Sequence, residues 1–157
     1  DIKWHFIGHL QTNKVRQIVP FVHMIHSVDS VRLLETINHE AEKIRRRVKV
    51  LLELHVAKEE TKSGFTPDEF LSLASSLSTN NLYPWVEVCG VMGMATNTDD
   101  VSEWHRCFRE IKSLASKLTN LDTKQISMGM SDDYRIAIEE GSTMIRIGST
   151  IFGERKY

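Results

Sequence analysis

Short apolar runs and longer helical patterns take turns along the whole chain. Residues 3–8 (KWHFIG) form the first apolar run, a polar turn follows at 9–13, and a helical stretch from about Lys14 ends where Pro20 removes a backbone donor. The second run covers 22–27. Asp29 or Ser30 then caps a long helix in which Val31, Leu34, Ile37, Ala41 and Ile44 recur at helical spacing. Residues 48–56 (VKVLLELHV) make a strongly apolar third strand. Thr66-Pro67-Asp68-Glu69 marks a helix start, with a capping threonine, proline at the first position and glutamate three residues after the cap. Phe70, Leu71, Leu73, Ala74 and Leu77 line that helix. A fourth strand spans 86–91, and Asp99 or Asp100 opens a helix carrying Trp104, Phe108, Ile111, Leu114, Ala115 and Leu118.

The stretch ISMGMSDDYRIAIEEGSTMIRIGSTIFG, residues 126–153, reads as two consecutive strand-to-helix units. The first has a strand at 126–130, Ser131-Asp132-Asp133 as cap and acidic first turn, and a helix over 134–140 that Gly141 ends. The second has a strand at 143–147, a Gly148-Ser149 turn and the start of a short helix at 150–153. Two helix N-termini after adjacent parallel strands direct free N–H groups and positive dipole ends at one place, which suits a phosphate or another anion. Gly148 lets a ligand approach the backbone. Loops after the seventh and eighth strands of (β/α)8 barrels, with a short extra helix, hold phosphates recurrently. Ordinary turn chemistry uses the same Ser, Asp and Gly residues, so spacing alone leaves both readings open. Arg146 faces away from its neighbours Ile145 and Ile147, and a charge inside a barrel calls for a partner such as Glu53.

Six strands rich in Val, Ile and Leu with helices between them imply a parallel sheet covered on its outer face, whether open or closed. A chain of 157 residues suffices for one domain, and 20 basic residues against 21 acidic ones leave no strong field to attract nucleic acid or a membrane surface. The one basic cluster, Arg45-Arg46-Arg47 with Lys43 and Lys49, reads as a solvated helix end. No apolar run approaches the ~18 residues of a membrane span and no signal-peptide pattern is present. Cys89 and Cys107 lack metal or redox spacing and read as buried reduced thiols. A soluble cytoplasmic protein is expected. His5, His23, His26, His39, His55 and His105 show no metal-ligand spacing, read as strand or helix surface residues, and define no metal site.

SMGMSDDYRIAIEEGSTMIRIGSTIFGER, together with WHFIGHLQTNK near the start and EETKSGF and GVMGMAT between them, closely resembles the pyridoxal-phosphate homeostasis proteins, single-domain relatives of the barrel of alanine racemase. The likeness extends from Trp4 to Arg155. It implies a TIM-type parallel (β/α)8 barrel, with residues 1–157 as one domain holding the last six β/α units. On that resemblance the cofactor is pyridoxal 5′-phosphate, stored and delivered to recipient apo-enzymes by a monomer with no committed catalytic reaction. The family's Schiff-base lysine lies at the end of its first β/α unit. WHFIGHLQ resembles its third strand, so the anchor is expected in a missing N-terminal segment, and this chain is expected to be a C-terminal portion of a longer protein.

By the same resemblance Ser131, Gly148 and Ser149 hold the phosphate, and Arg146 approaches the pyridine nitrogen and keeps it unprotonated. Met130, with Met128, packs around the ring. His9, with Gln11, Asn13 and Lys14, lies on the rim, either at the cofactor mouth or in a solvated loop. Lys62, in the loop after the third strand, is the best remaining lysine for an aldehyde or phosphate contact. Kinship with racemases leaves an alternative, a pyridoxal-phosphate-dependent amino-acid racemase-like enzyme. Two-base racemisation needs a second acid–base group opposite the lysine. Of Tyr83, Tyr134 and Tyr157, Tyr134 alone falls near the phosphate turn, where a helix-surface role competes.

Overall fold

The structure, a computed structural model, describes residues 2–61, 63–119 and 124–153, so Lys62 and Tyr157 lie outside the described residues. Strand β1 (His5–Phe6) leads through a 3₁₀ turn (Thr12–Lys14) into α1 (Val15–Ile18). Then β2 (Met24–Val28), α2 (Val31–Lys43), β3 (Val48–Leu54), α3 (Pro67–Thr79), β4 (Val86–Gly93) and α4 (Val101–Ala115) alternate. The described part ends with β5 (Gln125–Ser127), α5 (Tyr134–Glu139) and α6 (Ser149–Phe152).

Local chemistry explains the boundaries. Ser30 caps α2 by accepting from Leu33 N, and Asp100 caps α4 by accepting from Ser102 N. The threonine start of α3 is a complete capping box: the Thr66 hydroxyl accepts from Glu69 N, and the Glu69 carboxylate accepts from Thr66 N at 2.9 Å. Helix α2 buries Leu33, Leu34, Ile37 and Ala41, while Val31 and Ile44 at its two ends are exposed. Leu33 replaces them because the buried stripe is centred one position off the expected one.

The five strands pair in sequence order, all parallel. Their outer faces and the helices enclose the main core, with Ile25, Val50, Leu52, Val91, Phe70, Phe108 and Ile111 among its buried members. The inner faces carry a second, smaller cluster of Met24, Leu51, Cys89 and Met92, extended by Met94 and Met144. A flat sheet would hold β2 and β5 about 14 Å apart, three strand spacings. His26 on β2 nevertheless bonds Ser127 on β5 at 2.9 Å, so the sheet is curved into a half-barrel with this second cluster on its concave side. Gly90 permits the curvature at one point: β4 carries an extra residue opposite β3 there, and a Cβ at Gly90 would meet Gln125 O at 1.9 Å.

The sixth strand expected at 143–147 is reduced to a single bridge, Ser127 to Met144. Met144 N donates to Ile126 O and Met128 N to Met144 O, as in a parallel ladder, but the next bond runs from Arg146 N to Gly129 O. Gly129, with φ +96°, turns the β5 segment out of register and ends the ladder. Apolar side chains are exposed at both margins of the arc: Ile2, Trp4, Ile7 and Phe21 around β1, and Ile151 and Phe152 at α6.

Candidate functional site

The C-terminal ends of β4 and β5 and the segments after them converge on one lip. Ser131, in the turn before α5, accepts a hydrogen bond from Thr150 N at 3.4 Å, so the two turns singled out in the sequence do meet. Among the described residues, Gly148 N and Ser149 N meet no acceptor. A Cβ at Gly148 would touch nothing within 4 Å, and its φ of −125° needs no glycine for conformational reasons. The glycine therefore leaves a vacant space in front of unmatched N–H groups and two serine hydroxyls. A tetrahedral oxyanion fits that donor set.

The capping chemistry differs from expectation. The residue before α5 is Asp133, and its carboxylate does not cap the helix; it turns back and accepts from Met130 N at 2.7 Å. Asp133 is buried, and desolvation raises its pKa against the opposing effects of the Met130 N–H and the Arg146 charge. Met130 is thereby held at the lip with its side chain exposed, while Met128 is fully buried in the main core and cannot pack around a ligand on the inner face.

Arg146 turns inward. Its Nη1 donates to Ser127 O at 2.9 Å and Ser127 Oγ at 2.8 Å, and its Nη2 to Gly93 O at 3.2 Å. Desolvation lowers its pKa, with Asp133 and Glu53 working in the other direction. Glu53 does not ion-pair with it: among the described residues that carboxylate forms no hydrogen bond or ion pair. Burial first, and Asp29 second, push the Glu53 carboxyl up to about 7, while Arg146 and His9 pull it down. Glu53 is only 5 % exposed, and Leu52 and Leu54 on either side point to the helices, so it faces the interior.

Periodicity did not reveal the histidine at the centre of this interior. His26, expected on a surface, is 1 % exposed, with Nε2 2.8 Å from His5 Nδ1 and Nδ1 2.9 Å from Ser127 Oγ. Desolvation, then the charges of His5 and Arg146, lower its pKa to about 4. The missed signal was the strand alternation itself: Met24 and His26 share the inner face. His9 is exposed on the rim, 3.5 Å from Asp29, in a recess of about 340 Å³ that Gln11 and Asn13 also line. Among the described residues, no hydrogen bond or ion pair joins it to the Ser131–Gly148 lip. Tyr134 is engaged by its neighbour Arg135, whose Nε lies 3.3 Å from its hydroxyl. A larger cleft of about 810 Å³ opens at the opposite ends of the strands, between Arg47, Lys49, Asn80, Tyr83, Glu87 and Gln125, away from this lip. No group of three metal-ligating side chains occurs among the described residues, and none of their helices is long and apolar enough to cross a membrane.

A parallel half-barrel of alternating strands and helices, with a lip of N–H groups and serine hydroxyls at the C-terminal ends of its last strands and a half-buried arginine beside that lip, places the chain in the parallel α/β class. The family model described as "Alanine racemase, N-terminal domain" matches residues 2–156. The pyridoxal phosphate homeostasis protein of Aquifex aeolicus is 42 % identical over 160 residues, covering 100 % of this chain and 69 % of that protein. The structure of PipY from Synechococcus elongatus PCC7942 with PLP bound is 32 % identical, with a TM-score of 0.86 over 98 % of this chain and 71 % of that one. Alanine racemase of Clostridium difficile 630 shares the fold, at a TM-score of 0.78 and 14 % identity over 100 % of this chain and 41 % of its own. The chain belongs to the alanine racemase N-terminal domain family, within its pyridoxal phosphate homeostasis branch.

Proposed function

We propose that this chain binds pyridoxal 5′-phosphate and works in intracellular cofactor homeostasis, holding the cofactor and yielding it to recipient apo-enzymes, with no committed catalytic reaction. The observation that carries the proposal is the Gly148 lip. Unmatched N–H groups of Gly148 and Ser149, the Ser131 and Ser149 hydroxyls and an empty Cβ direction together suit a phosphate monoester. Arg146 stands at the neighbouring interior and would approach the ring nitrogen; Met130 and His9 would border the mouth. When bound, the cofactor supplies an aldehyde and an electron-withdrawing ring. The residues of this chain hold the phosphate and set the polarity around the ring.

The half-barrel is proposed to be the last part of an eight-stranded barrel, completed by two further β/α units that carry the lysine anchor. The open strand margins with their exposed apolar side chains support that arrangement. The test is a fluorescence titration of the full natural chain with pyridoxal 5′-phosphate, and with pyridoxal, which lacks the phosphate. Tenfold or weaker binding of pyridoxal is expected, and Gly148→Val should lower affinity for the phosphate form at least tenfold, roughly 1.4 kcal/mol. The variant should keep its thermal stability, because a Cβ at this position meets nothing within 4 Å. Equal affinity for the two ligands would sink the phosphate site.

A further inference from the structure

The concave face carries a chain of hydrogen bonds that phosphate binding does not require. It runs from Arg146 through Ser127 on β5 and His26 on β2 to His5 on β1, crossing the interior in steps of 2.8, 2.9 and 2.8 Å. Counting protons gives it a direction. A guanidinium has donors only, so Ser127 Oγ accepts from Arg146. The Ser127 hydroxyl then has one proton to place, and His26 Nδ1 is the remaining partner at hydrogen-bond distance among the described residues. Placing the His26 proton on Nδ1 instead would leave that buried hydroxyl proton without an acceptor. His26 Nδ1 therefore accepts, its proton is on Nε2, and Nε2 donates to His5 Nδ1.

The same count applies to the arginine. Nη1 uses both of its N–H groups on Ser127, and Nη2 uses one on Gly93 O. Among the described residues, the Nε–H and one Nη2–H remain without an acceptor and are left for a ligand. We propose that Ser127 and His26 are positioning residues that lock the Arg146 guanidinium, with His26 held as its Nε2–H tautomer, so that only these two donors reach the ligand. The ligand role of the two donors rests on the cofactor reading above; the lock itself does not. An arginine so fixed favours an acceptor on the ligand ring and disfavours a protonated ring nitrogen. The neutrality of His26 near pH 7 follows from its burial and from its charged surroundings, since among the described residues the groups acting on it are His5, Arg146 and, beyond His5, His23, with no carboxylate.

The experiment is nitrogen-15 NMR on the full natural chain, first without ligand. Wild-type protein is expected to show His26 as the Nε2–H tautomer and separate, slowly averaging Nη signals for Arg146. Ser127→Ala is expected to let those Nη signals average while the backbone amide spectrum stays native. An Nδ1–H tautomer overturns the proposal, and so does an Arg146 spectrum unchanged in a folded Ser127→Ala protein. The wild-type tautomer decides the matter even if that variant fails to fold. With pyridoxal 5′-phosphate added, Ser127→Ala should shift the absorption maximum of the bound chromophore, while inorganic phosphate competes as it does with wild type. Failure of both proteins to bind the cofactor would remove the cofactor reading and leave the lock judged by the ligand-free spectra.

Discussion

Two buried groups on the concave face titrate in opposite senses, and each makes stability depend on pH. His26 has its folded pKa lowered to about 4, so the unfolded chain binds more protons between about pH 6.5 and pH 4. Stability is full above that window and falls as pH drops through it, by on the order of 3 kcal/mol. Glu53 has its folded pKa raised to about 7, so here the folded chain binds more protons. Stability falls as pH rises from about 4.5 to 7, by a similar amount. Urea denaturation across pH 4–8 should show Glu53→Gln more stable than wild type at pH 8, by on the order of 3 kcal/mol, and little changed at pH 4.5. His26→Gln should flatten the acid limb. Parallel pH curves for wild type and Glu53→Gln would mean that Glu53 ionises freely in the folded chain. The sequence pointed to Glu53 only as a partner for Arg146 and to His26 as a surface residue, because a strand buried on both faces shows a nearly continuous apolar run in which the inward alternation is easily overlooked.

At the scale of elements, the signals that could be read were the local ones. Thr66, Pro67 and Glu69 identify the start of α3 because a capping box needs only four adjacent residues, and replacing Thr66 with Ala should cost about 1 kcal/mol in chemical denaturation. An unchanged midpoint would show that the box adds nothing to this helix. The misread element was the strand at 143–147. Its apolar pattern is genuine, but its ladder depends on Gly129, whose positive φ is a property of the partner segment. Gly90 is a comparable case in a strand: alanine there would drive its Cβ into the Gln125 backbone, so Gly90→Ala should destabilise by more than the ~1 kcal/mol of a propensity change. At the lip, Ser131, Gly148 and Ser149 were recognisable from turn chemistry and resemblance. The turned-back Asp133 carboxylate was not, because nothing in SDD distinguishes a helix cap from a loop bond.

For the whole molecule, alternation of strands and helices was enough to indicate a parallel sheet, and the 2.9 Å contact between β2 and β5 shows that it curves. Closure is a further step, proposed here as the cover for the apolar side chains at the margins. Trp4, 58 % exposed, and Phe152, 85 % exposed, would be covered by two added β/α units. Residues 1–157 alone should therefore bind a hydrophobic dye and self-associate in sedimentation, and the chain extended at its N-terminus should do neither. A monomeric, dye-silent 157-residue protein would contradict closure by added units. The phosphate is proposed to sit at the Gly148 lip, and a crystal structure of the full natural chain grown with pyridoxal 5′-phosphate would reveal its position. The expected result has phosphate oxygens within hydrogen-bond distance of Gly148 N, Ser149 N and Ser131 Oγ, with the ring toward Arg146. A phosphate bound instead in the opposite cleft by Arg47 and Lys49, with the Gly148 lip empty, would contradict it.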